Sequence, residues 1–537
     1  MSLQPEVRRR VEELAAELRQ LLYGPDGAPA WGTKFSAIED QACEVGDAVS
    51  QLLMSQAMQE QADRAAAAPQ AACVACGRDS PSDDIEPRVL QTRRGAVAWR
   101  ENKHYCRKCR RDFFPQRREL GLGPDDTLSP GLLQKVVHAG LRHRSFREAS
   151  EELLTLAEVN ISEERVRRAT ERIGEERLAE RRASSDEWRK LPFPERDRSP
   201  TGLSPPVACV QVDGGRIQIL DGEKQEPKSE RGGGHWRETR AACLLSLASE
   251  THAQDPCPQL PEPFANFAQM AQVTREIKGA AGLRAAEALQ DATADKPTPG
   301  EKSTAAEPSE IRLPEESARP GRPKILVRSV VASRKSWAEF GPLVAAAAWQ
   351  RGFAAATRKA YLGDGSATIW TLWKDYFSHY IPILDFVHSA TYIFRAACAG
   401  RGLDEAVAKY HRWAQLVWSG RVCDVIGELE ERQQELGPPE PGEPDASPRN
   451  VLLETLGYLR NQQTRMRYNE YRQQGLPITT AHLESTVKQI NRRVKGSEKF
   501  WKGCAMRFAL ALLVATASAG VAGAAFPEGC YTASGHP

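Results

Sequence analysis

A series of short apolar segments between residues 207 and 387 limits the fold of this 537-residue chain more than any other feature. Runs of β-branched and apolar side chains predict strands, whereas apolar residues at helical spacing predict a helix. The predicted strands are Val207–Leu220, Thr239–Ala248, Lys324–Ala332, Lys359–Asp364 and Ile381–Val387, and an Ala-rich amphipathic helix is predicted at Ser336–Gly352. Alternating strands and helices indicate a sheet covered by helices.

Three acidic residues occupy distinctive places in this pattern. Asp213 and Asp364 end apolar runs and are followed at once by glycine, and Glu484 begins a basic helix. The order of the elements, with further helices over 389–475, is that of an RNase H-like fold, in which the first strand, the end of the fourth strand and a later helix each carry a catalytic acid. An Asp-Gly pair alone more often marks a turn, so the prediction depends on the three acids together.

Carboxylates in such an arrangement are typical of two-metal phosphoryl transfer. Two Mg²⁺ ions about 3.5–4 Å apart stabilise the attacking and leaving oxygens of a phosphodiester. Mg²⁺, or Mn²⁺ in its place, binds a few carboxylates together with water and substrate phosphate. We therefore predict that Asp213 bridges both ions and that Asp364 and Glu484 each complete one ion's ligands.

Further residues near the acids are candidates for positioning or for DNA contact. Asp385 and His388 follow the last predicted strand, where they either orient the active site or form a hydrogen-bonded core pair. Trp236 and Arg237, before the second predicted strand, either pack near the site or contact DNA. The basic helix is predicted to hold the DNA backbone through Lys488, Asn491 and Lys495 on one face, with Arg492 beside them.

Two CxxC pairs predict a second metal site. Cys73 and Cys76 are separated from Cys106 and Cys109 by 29 residues, which leaves room for a β-hairpin built from Arg88–Thr92 and Ala96–His104. Four thiolates at such spacing are typical of tetrahedral Zn²⁺ in a zinc ribbon. The basic and aromatic segment that follows includes Arg110 and Arg111, which suit DNA contact, although zinc ribbons also serve as purely structural modules.

The length predicts several domains, and the fold class is multidomain α+β. Amphipathic helices over 5–22 and 35–64 are able to form a helical hairpin, and three short helices at Ser129–Ala139, Ser145–Thr155 and Ser162–Ile173 resemble a helix-turn-helix module. The predicted domains are an N-terminal helical region (1–68), a zinc ribbon (69–120), the helix-turn-helix-like module (121–176), a linker (177–205), the RNase H-like core (206–400, with a disordered insertion at 251–325), a helical insertion (401–475), the catalytic helix of the core (476–503) and an atypical tail (504–537).

Charge and hydropathy constrain location less than fold. The formal net charge of +2 does not by itself indicate a polyanion partner, but basic residues crowd locally, as phosphate binding requires. The N-terminus shows no secretory signal. The uncharged stretch from Phe508 to Phe526 is long enough to cross a membrane but is rich in Ala, Gly, Ser and Thr, so we expect a cytoplasmic, nucleoid-associated protein.

Several segments together resemble the ISKra group of bacterial insertion-sequence DDE transposases. They are Tyr-Leu-Gly-Asp-Gly-Ser-Ala-Thr-Ile-Trp (361–370), Pro-Ile-Leu-Asp-Phe-Val-His (382–388), Gly-Leu-Pro-Ile-Thr-Thr (475–480) and Leu-Glu-Ser-Thr-Val-Lys-Gln-Ile-Asn-Arg-Arg-Val-Lys-Gly-Ser-Glu-Lys-Phe-Trp (483–501). The resemblance runs from about residue 35 to 502, and Asp213, Asp364 and Glu484 match the family's three acids. The tail from Gly503 differs from the family's polar, basic C-terminus.

The resemblance implies cleavage and joining of double-stranded DNA at terminal inverted repeats and target sites. It also implies a divalent metal, a homo-oligomer on DNA and no small-molecule cofactor. Two alternatives remain at this point: an RNase H-like nuclease that cuts without joining, and a catalytically decayed, zinc-dependent DNA-binding protein.

Overall fold

The computed structural model describes residues 4–65, 70–123, 126–143, 145–200, 202, 204–218, 236–278, 322–480 and 483. The described residues divide into two compact units, one containing residues up to 139 and 147–166, the other containing 140–146 and the described residues from 167 to 483. The architecture is mixed α+β, with one sheet in each unit.

The first unit contains a four-stranded antiparallel sheet in sequential order. Its strands are β1 Gln70–Ala72, β2 Asp79–Thr92, β3 Gly95–Cys106 and β4 Arg111–Phe113. The β2–β3 pair confirms the predicted hairpin and extends it at both ends. Gly95, which pairs with Thr92 at the hairpin turn, has φ +105°, a conformation that favours glycine.

The helices of the first unit and its boundary are α1 Pro5–Tyr23, α2 Phe35–Ala65, α3 Pro115–Glu119, α4 Pro130–Arg142, α5 Phe146–Ala157 and α6 Glu163–Lys190. Helix α2 packs on β3, where Ala62, Val97 and Trp99 share a small core. Helix α1 buries none of its side chains, so a packed hairpin of α1 and α2 does not form.

The predicted linker at 177–205 is partly wrong. Helix α6 continues from Glu163 to Lys190, and a short helix, α7 Phe193–Arg196, follows it. The charge-rich sequence that suggested a linker instead places opposite charges at helical spacing. Arg177 contacts Glu180 at 2.7 Å, and Arg189 contacts Asp186 at 3.9 Å. Such pairs stabilise an exposed helix.

The second unit is built on a five-stranded sheet in the order β7-β6-β5-β8-β9. Its strands are β5 Val207–Gln218, β6 Trp236–Ala248, β7 Lys324–Ser333, β8 Arg358–Gly363 and β9 Ile381–Leu384. Strands β5, β6 and β7 are antiparallel neighbours, whereas β8 runs parallel to β5 and β9 runs parallel to β8. The central position of β5 explains why residues 207–212 are buried without alternation, because both faces of its sheet are covered.

Helices of the second unit follow the strands. They are α8 Glu262–Ala265, α9 Phe267–Lys278, α10 Trp337–Gln350, α11 Ala367–Tyr376, α12 Phe386–Cys398, α13 Leu403–Trp418, α14 Val422–Leu436, α15 Pro448–Gln462 and α16 Tyr468–Gln473, with 3₁₀ turns at Phe353–Ala355 and Gln463–Arg465. A capping box between Ser336 and Glu339 begins α10.

The predicted disorder of 251–325 is wrong for its first part. Phe264, Phe267 and Met270 on α8 and α9 are buried in the main core, and the Tyr410 hydroxyl donates a hydrogen bond of 2.6 Å to the Phe264 carbonyl oxygen. These apolar residues outweigh the Pro-rich and polar composition of the surrounding window. Residues 279–321, including the short helix expected near 281–290, lie outside the described residues.

No helix in the part of the chain that the structure describes is long and apolar enough to span a membrane. The apolar stretch at 508–526 and the rest of the predicted tail lie outside that part.

Candidate active site and metal centre

Asp213 and Asp364 lie just beyond the point at which the parallel pairing of strands β5 and β8 ends. Strands β5 and β8 pair in parallel up to Gln211 and Leu362. Asp213 and Asp364 each follow two residues later, so the register places them at the same level on neighbouring strands. Adjacent strands lie about 4.8 Å apart, which brings the two carboxylates into the same small region.

The electrostatic environment of Asp213 agrees with this placement. Burial raises the pKa of Asp213 to about 6, and the negative charges of Asp364 and, less strongly, Asp385 act in the same direction. His388 and the backbone N–H of Gly214 lower the pKa of Asp213. A carboxyl group held near another negative charge is prepared to accept a cation, because the cation relieves the repulsion.

The loop after β8 fixes the backbone of Asp364. The backbone N–H of Ser366 donates to Oδ1 of Asp364 at 2.9 Å, and Gly365 between them has φ +100°. From helix α15, the Tyr458 hydroxyl donates to the Asp364 carbonyl oxygen at 2.8 Å, and Nε2 of Gln462 donates to the Gly365 carbonyl oxygen at 3.0 Å. The helical region therefore supports the acid directly.

Asp385 is completely buried and both of its carboxylate oxygens accept hydrogen bonds. Oδ2 accepts from the backbone N–H of His388 at 2.9 Å and contacts Nδ1 of the His388 ring at 2.8 Å, while Oδ1 accepts from the backbone N–H of Thr480 at 2.7 Å. The predicted strand 381–387 is therefore too long: β9 ends at Leu384 because Asp385 caps helix α12. With its oxygens so engaged, Asp385 suits a positioning role.

The segment 476–480 is held beside the acids by three hydrogen bonds. Besides the Asp385–Thr480 contact, Nε2 of the buried Gln211 donates to the Thr479 carbonyl oxygen at 3.0 Å, and the Phe386 backbone N–H donates to the Ile478 carbonyl oxygen at 3.0 Å. Gln211 and Asp213 are two residues apart on β5, so they project from the same face of the strand.

The last described residue, Leu483, is buried, and its backbone N–H donates to the Thr480 carbonyl oxygen at 2.8 Å. The next residue in the chain is Glu484. It lies outside the described residues, as do the predicted DNA-contacting residues Lys488, Asn491, Arg492 and Lys495. Their predicted roles remain predictions.

A cation and two aromatic rings also lie near Asp364. Nζ of Lys278 lies 3.8 Å from the ring centroid of Tyr392, which stacks on Tyr458 at 3.7 Å. Burial lowers the pKa of Lys278, although the charges of Glu454 and Asp364 partly oppose this. Tyr458 connects Lys278 and Tyr392 to Asp364 through the hydrogen bond that its hydroxyl donates to the Asp364 carbonyl oxygen.

Trp236 and Arg237 begin strand β6. They pair with Gln218 and Ile217 of β5, beyond Asp213 along the same strand pair. Their backbone therefore lies towards the same end of strand β5 as Asp213. Whether they contact DNA remains a prediction.

The first unit contains the predicted cysteine cluster. The Sγ atoms of Cys73, Cys76, Cys106 and Cys109 all lie within 4.8 Å of one another. The Cys73–Cys109 and Cys76–Cys106 Sγ distances are 4.0 and 3.7 Å. Thiolates bound tetrahedrally to Zn²⁺ at about 2.3 Å are separated by about 3.8 Å, so the residues fit a structural Zn²⁺ ion.

The two CxxC turns have the same local design. The residue after each pair, Gly77 and Arg110, has positive φ, at +69° and +52°. The Gly77 backbone N–H donates to the Cys73 carbonyl oxygen at 2.8 Å, and the Arg110 backbone N–H donates to the Cys106 carbonyl oxygen at 2.7 Å. This repeated turn directs both thiols of each pair to one point.

The thiols also differ in acidity. A hydrogen bond from the Cys109 backbone N–H lowers the pKa of the Cys106 thiol to about 6. Because the thiolate is the form that binds a metal ion, the lowered pKa of Cys106 favours a metal ligand at this position. Arg110 and Arg111, predicted to contact DNA, are exposed beside this cluster, and their contact with DNA stays a prediction.

Sequence reasoning missed the residues that support the acids. Gln211 looks like an interruption in an apolar strand, and its contact with Thr479 spans 268 residues along the chain. Tyr458 and Gln462 carried a weak signal, because they lie four residues apart on α15 and therefore share one face of the helix. Their partners on the β8 loop were not predictable from that spacing.

Comparison with known protein families and with curated proteins found no match to this sequence.

Proposed function

We propose that the chain is a DNA transposase similar to the ISKra group and that its second unit is an RNase H-like catalytic domain. The sheet supports this proposal: three antiparallel strands are followed by two parallel strands, and the first strand of the series lies at the centre. Helices α13 to α16 lie within 401–475 and support the proposed helical insertion before the third acid.

The single observation that carries the proposal is the register of Asp213 and Asp364. Two carboxylates from neighbouring parallel strands, one with a raised pKa, provide hard oxygen ligands suited to Mg²⁺ or Mn²⁺. Such ions supply charge neutralisation for the attacking and leaving oxygens of a phosphodiester. Glu484 is proposed as the third acid, since the segment that leads to it is bound by Gln211 and Asp385.

The first unit is proposed to bind DNA. Its cysteine cluster suits Zn²⁺, and the exposed Arg110 and Arg111 adjoin the cluster. Phosphates of double-stranded DNA attract such cations. Terminal inverted repeats and target DNA would be the partners of a homo-oligomer in the bacterial cytoplasm, associated with the nucleoid.

A second candidate function is a zinc-dependent DNA-binding protein without cleavage activity. The complete cysteine cluster favours it, because that cluster needs none of the acids. A nuclease that cuts without joining is the other alternative, and the register of the two aspartates supports it equally.

The test is incubation of the purified protein with Mg²⁺ or Mn²⁺ and a plasmid carrying the gene's own flanks. The proposal expects breaks at the element boundaries together with joined products, and Asp213→Asn and Asp364→Asn should abolish both without loss of flank binding. Asp375→Asn, which removes an exposed carboxylate from α11, is the matched control and should retain activity.

Each alternative gives a different result in the same reaction. Breaks without joined products would indicate the nuclease. Specific binding without breaks, in folded protein, would indicate the DNA-binding protein. Cleavage that survives both aspartate substitutions would refute the proposed site.

A further inference from the structure

Helix α1 presents a mostly exposed apolar stripe with a heptad pattern, in which Leu18 is half-buried. Val7, Val11, Leu14, Leu18 and Leu21 alternate spacings of four and three residues, which places all of them at the a and d positions of a coiled coil. Val7, Val11 and Leu14 are 44%, 50% and 42% exposed, and Leu21 is 82% exposed. A helix with this pattern normally buries its stripe against another helix.

The charges beside the stripe indicate which partner fits. With Val11 and Leu18 at a, Arg10 and Glu17 occupy successive g positions. In an antiparallel pair of identical helices, Val11 faces the partner's Leu14 and Val7 faces the partner's Leu18. That register also places Arg10 opposite the partner's Glu17 and Glu17 opposite the partner's Arg10, so the flank on which the g positions of both helices meet is complementary in charge.

A parallel pair lacks this complementarity. There, a g position faces the e position five residues further along the partner, so Arg10 would face the partner's Ala15 and Glu17 would face the partner's Leu22. The charges therefore favour the antiparallel arrangement. Within one chain, the Arg10 guanidinium lies 2.7 Å from the Glu13 carboxylate, and both side chains are exposed. The guanidinium is therefore still accessible to the Glu17 carboxylate of a second copy.

We infer that α1 is a self-association surface that binds α1 of a second copy of this chain in antiparallel orientation. The 19-residue helix is about 28 Å long, and most of the stability of a helix in a protein comes from packing of its apolar face. The association buries a single stripe of five apolar residues, so we expect it to be reversible. The inference does not depend on the proposed function, because it uses only residues of α1.

The test is sedimentation equilibrium of the full chain without DNA. Wild type should show a reversible monomer–dimer equilibrium. Leu14→Glu, which places a charge within the stripe, should weaken the association at least about a hundredfold. If the stripe is instead covered by another part of the same chain, Leu14→Glu will lower the melting temperature of the monomer and leave association unchanged, which would overturn the inference.

Charge exchange tests the orientation. Arg10→Glu and Glu17→Arg should each weaken self-association by about tenfold, because each homodimer then opposes like charges. A mixture of the two variants should associate as strongly as wild type, since the mixed dimer restores both opposite pairs. The double variant should also recover.

Arg9→Glu is the matched control. This substitution changes the charge by the same amount, but Arg9 lies at the f position, which faces away from the partner helix. Like Arg10, Arg9 lies near Glu13, at 3.9 Å. Its association should equal that of wild type. Equal weakening by Arg9→Glu and Arg10→Glu, or no recovery in the mixture, would contradict the antiparallel pairing. Circular dichroism confirms that α1 remains helical in each variant.

Discussion

Asp385 binds the backbone N–H of Thr480 across 95 residues of sequence, at 2.7 Å from its Oδ1 oxygen. The same carboxylate caps helix α12 and orients the His388 ring through its other oxygen. One completely buried side chain thus joins the end of strand β9, the start of α12 and the segment that leads to Glu484. The candidate active site depends on this junction more than on any contact between the acids themselves.

Asp385→Asn should destabilise the second unit. An amide has only one acceptor oxygen, so at least one of the N–H groups of His388 and Thr480 loses its partner in a buried place. Hydrogen bonds to a charged group contribute about 1.5–3 kcal/mol, and we expect a loss of about 2–3 kcal/mol in the free energy of unfolding in urea. Asp375→Asn on the surface should change it by less than about 0.5 kcal/mol. An Asp385→Asn protein as stable as wild type would contradict this role.

Gln211→Leu should lower the cleavage rate without a large change in the free energy of unfolding. Nε2 of Gln211 donates to the Thr479 carbonyl oxygen, but its Oε1 is buried and has no partner among the described residues. Leucine removes one hydrogen bond and also one unsatisfied oxygen, so the free energy of unfolding should change by less than about 1 kcal/mol. Cleavage should nevertheless fall at least about tenfold while flank binding is retained, because the segment 476–480 is held less firmly.

A comparison of gel-shift affinity, urea unfolding and cleavage rate in the same preparation checks the Gln211 prediction. Unchanged cleavage with unchanged stability would show that Gln211 does not position the segment. A large loss of stability would instead show that the hydrogen bond to Thr479 is mainly structural.

The sequence predicted the strands better than the contacts between them. Strands β5 to β9 could be located because short apolar runs ended at glycine, proline or charged residues, and Asp213 and Asp364 stood at such ends. The end of β9 was misplaced because Ile-Leu-Asp-Phe-Val reads as one apolar run when the capping role of Asp385 is ignored. Contacts that span half of the chain, such as Gln211 with Thr479, leave no local pattern.

Removal of metal from the cysteine cluster should unfold part of the first unit. Four thiols within 4.8 Å repel one another once ionised, and a bound cation relieves that repulsion. A strong chelator, or Cys106→Ser, should release about one Zn²⁺ per chain and reduce the sheet signal in circular dichroism. Cys43→Ser, which changes an exposed cysteine outside the cluster, is the control and should retain the metal.

DNA binding provides a second measurement on the zinc-depleted protein. If the first unit binds DNA, affinity for the flanks should fall together with the metal and return when Zn²⁺ is restored. Full DNA affinity in protein shown to lack zinc would assign the cluster a structural role only.

Asp213→Asn should stabilise the metal-free protein at neutral pH while it abolishes cleavage. The pKa of Asp213 is about 6 in the folded chain against an ordinary value of 3.8, so the folded protein keeps a proton that the unfolded chain has lost. Ionisation of Asp213 therefore lowers the free energy of unfolding as pH rises from about 4 to about 6, and the loss persists above pH 6. The advantage of the variant should grow over the same interval, to about 1–2 kcal/mol at pH 7.

Urea unfolding in a chelating buffer at pH 4, 5, 6 and 7 measures this difference. At pH 4 the variant and wild type should have nearly the same free energy of unfolding, because Asp213 is then protonated, and so uncharged, in the folded state. Addition of Mg²⁺ at pH 7 should stabilise wild type and leave Asp213→Asn unchanged, since binding to the folded state alone raises stability. A constant difference across the pH range would show that ionisation of Asp213 does not lower the free energy of unfolding. Equal stabilisation of both proteins by Mg²⁺ would show that Asp213 is not a metal ligand.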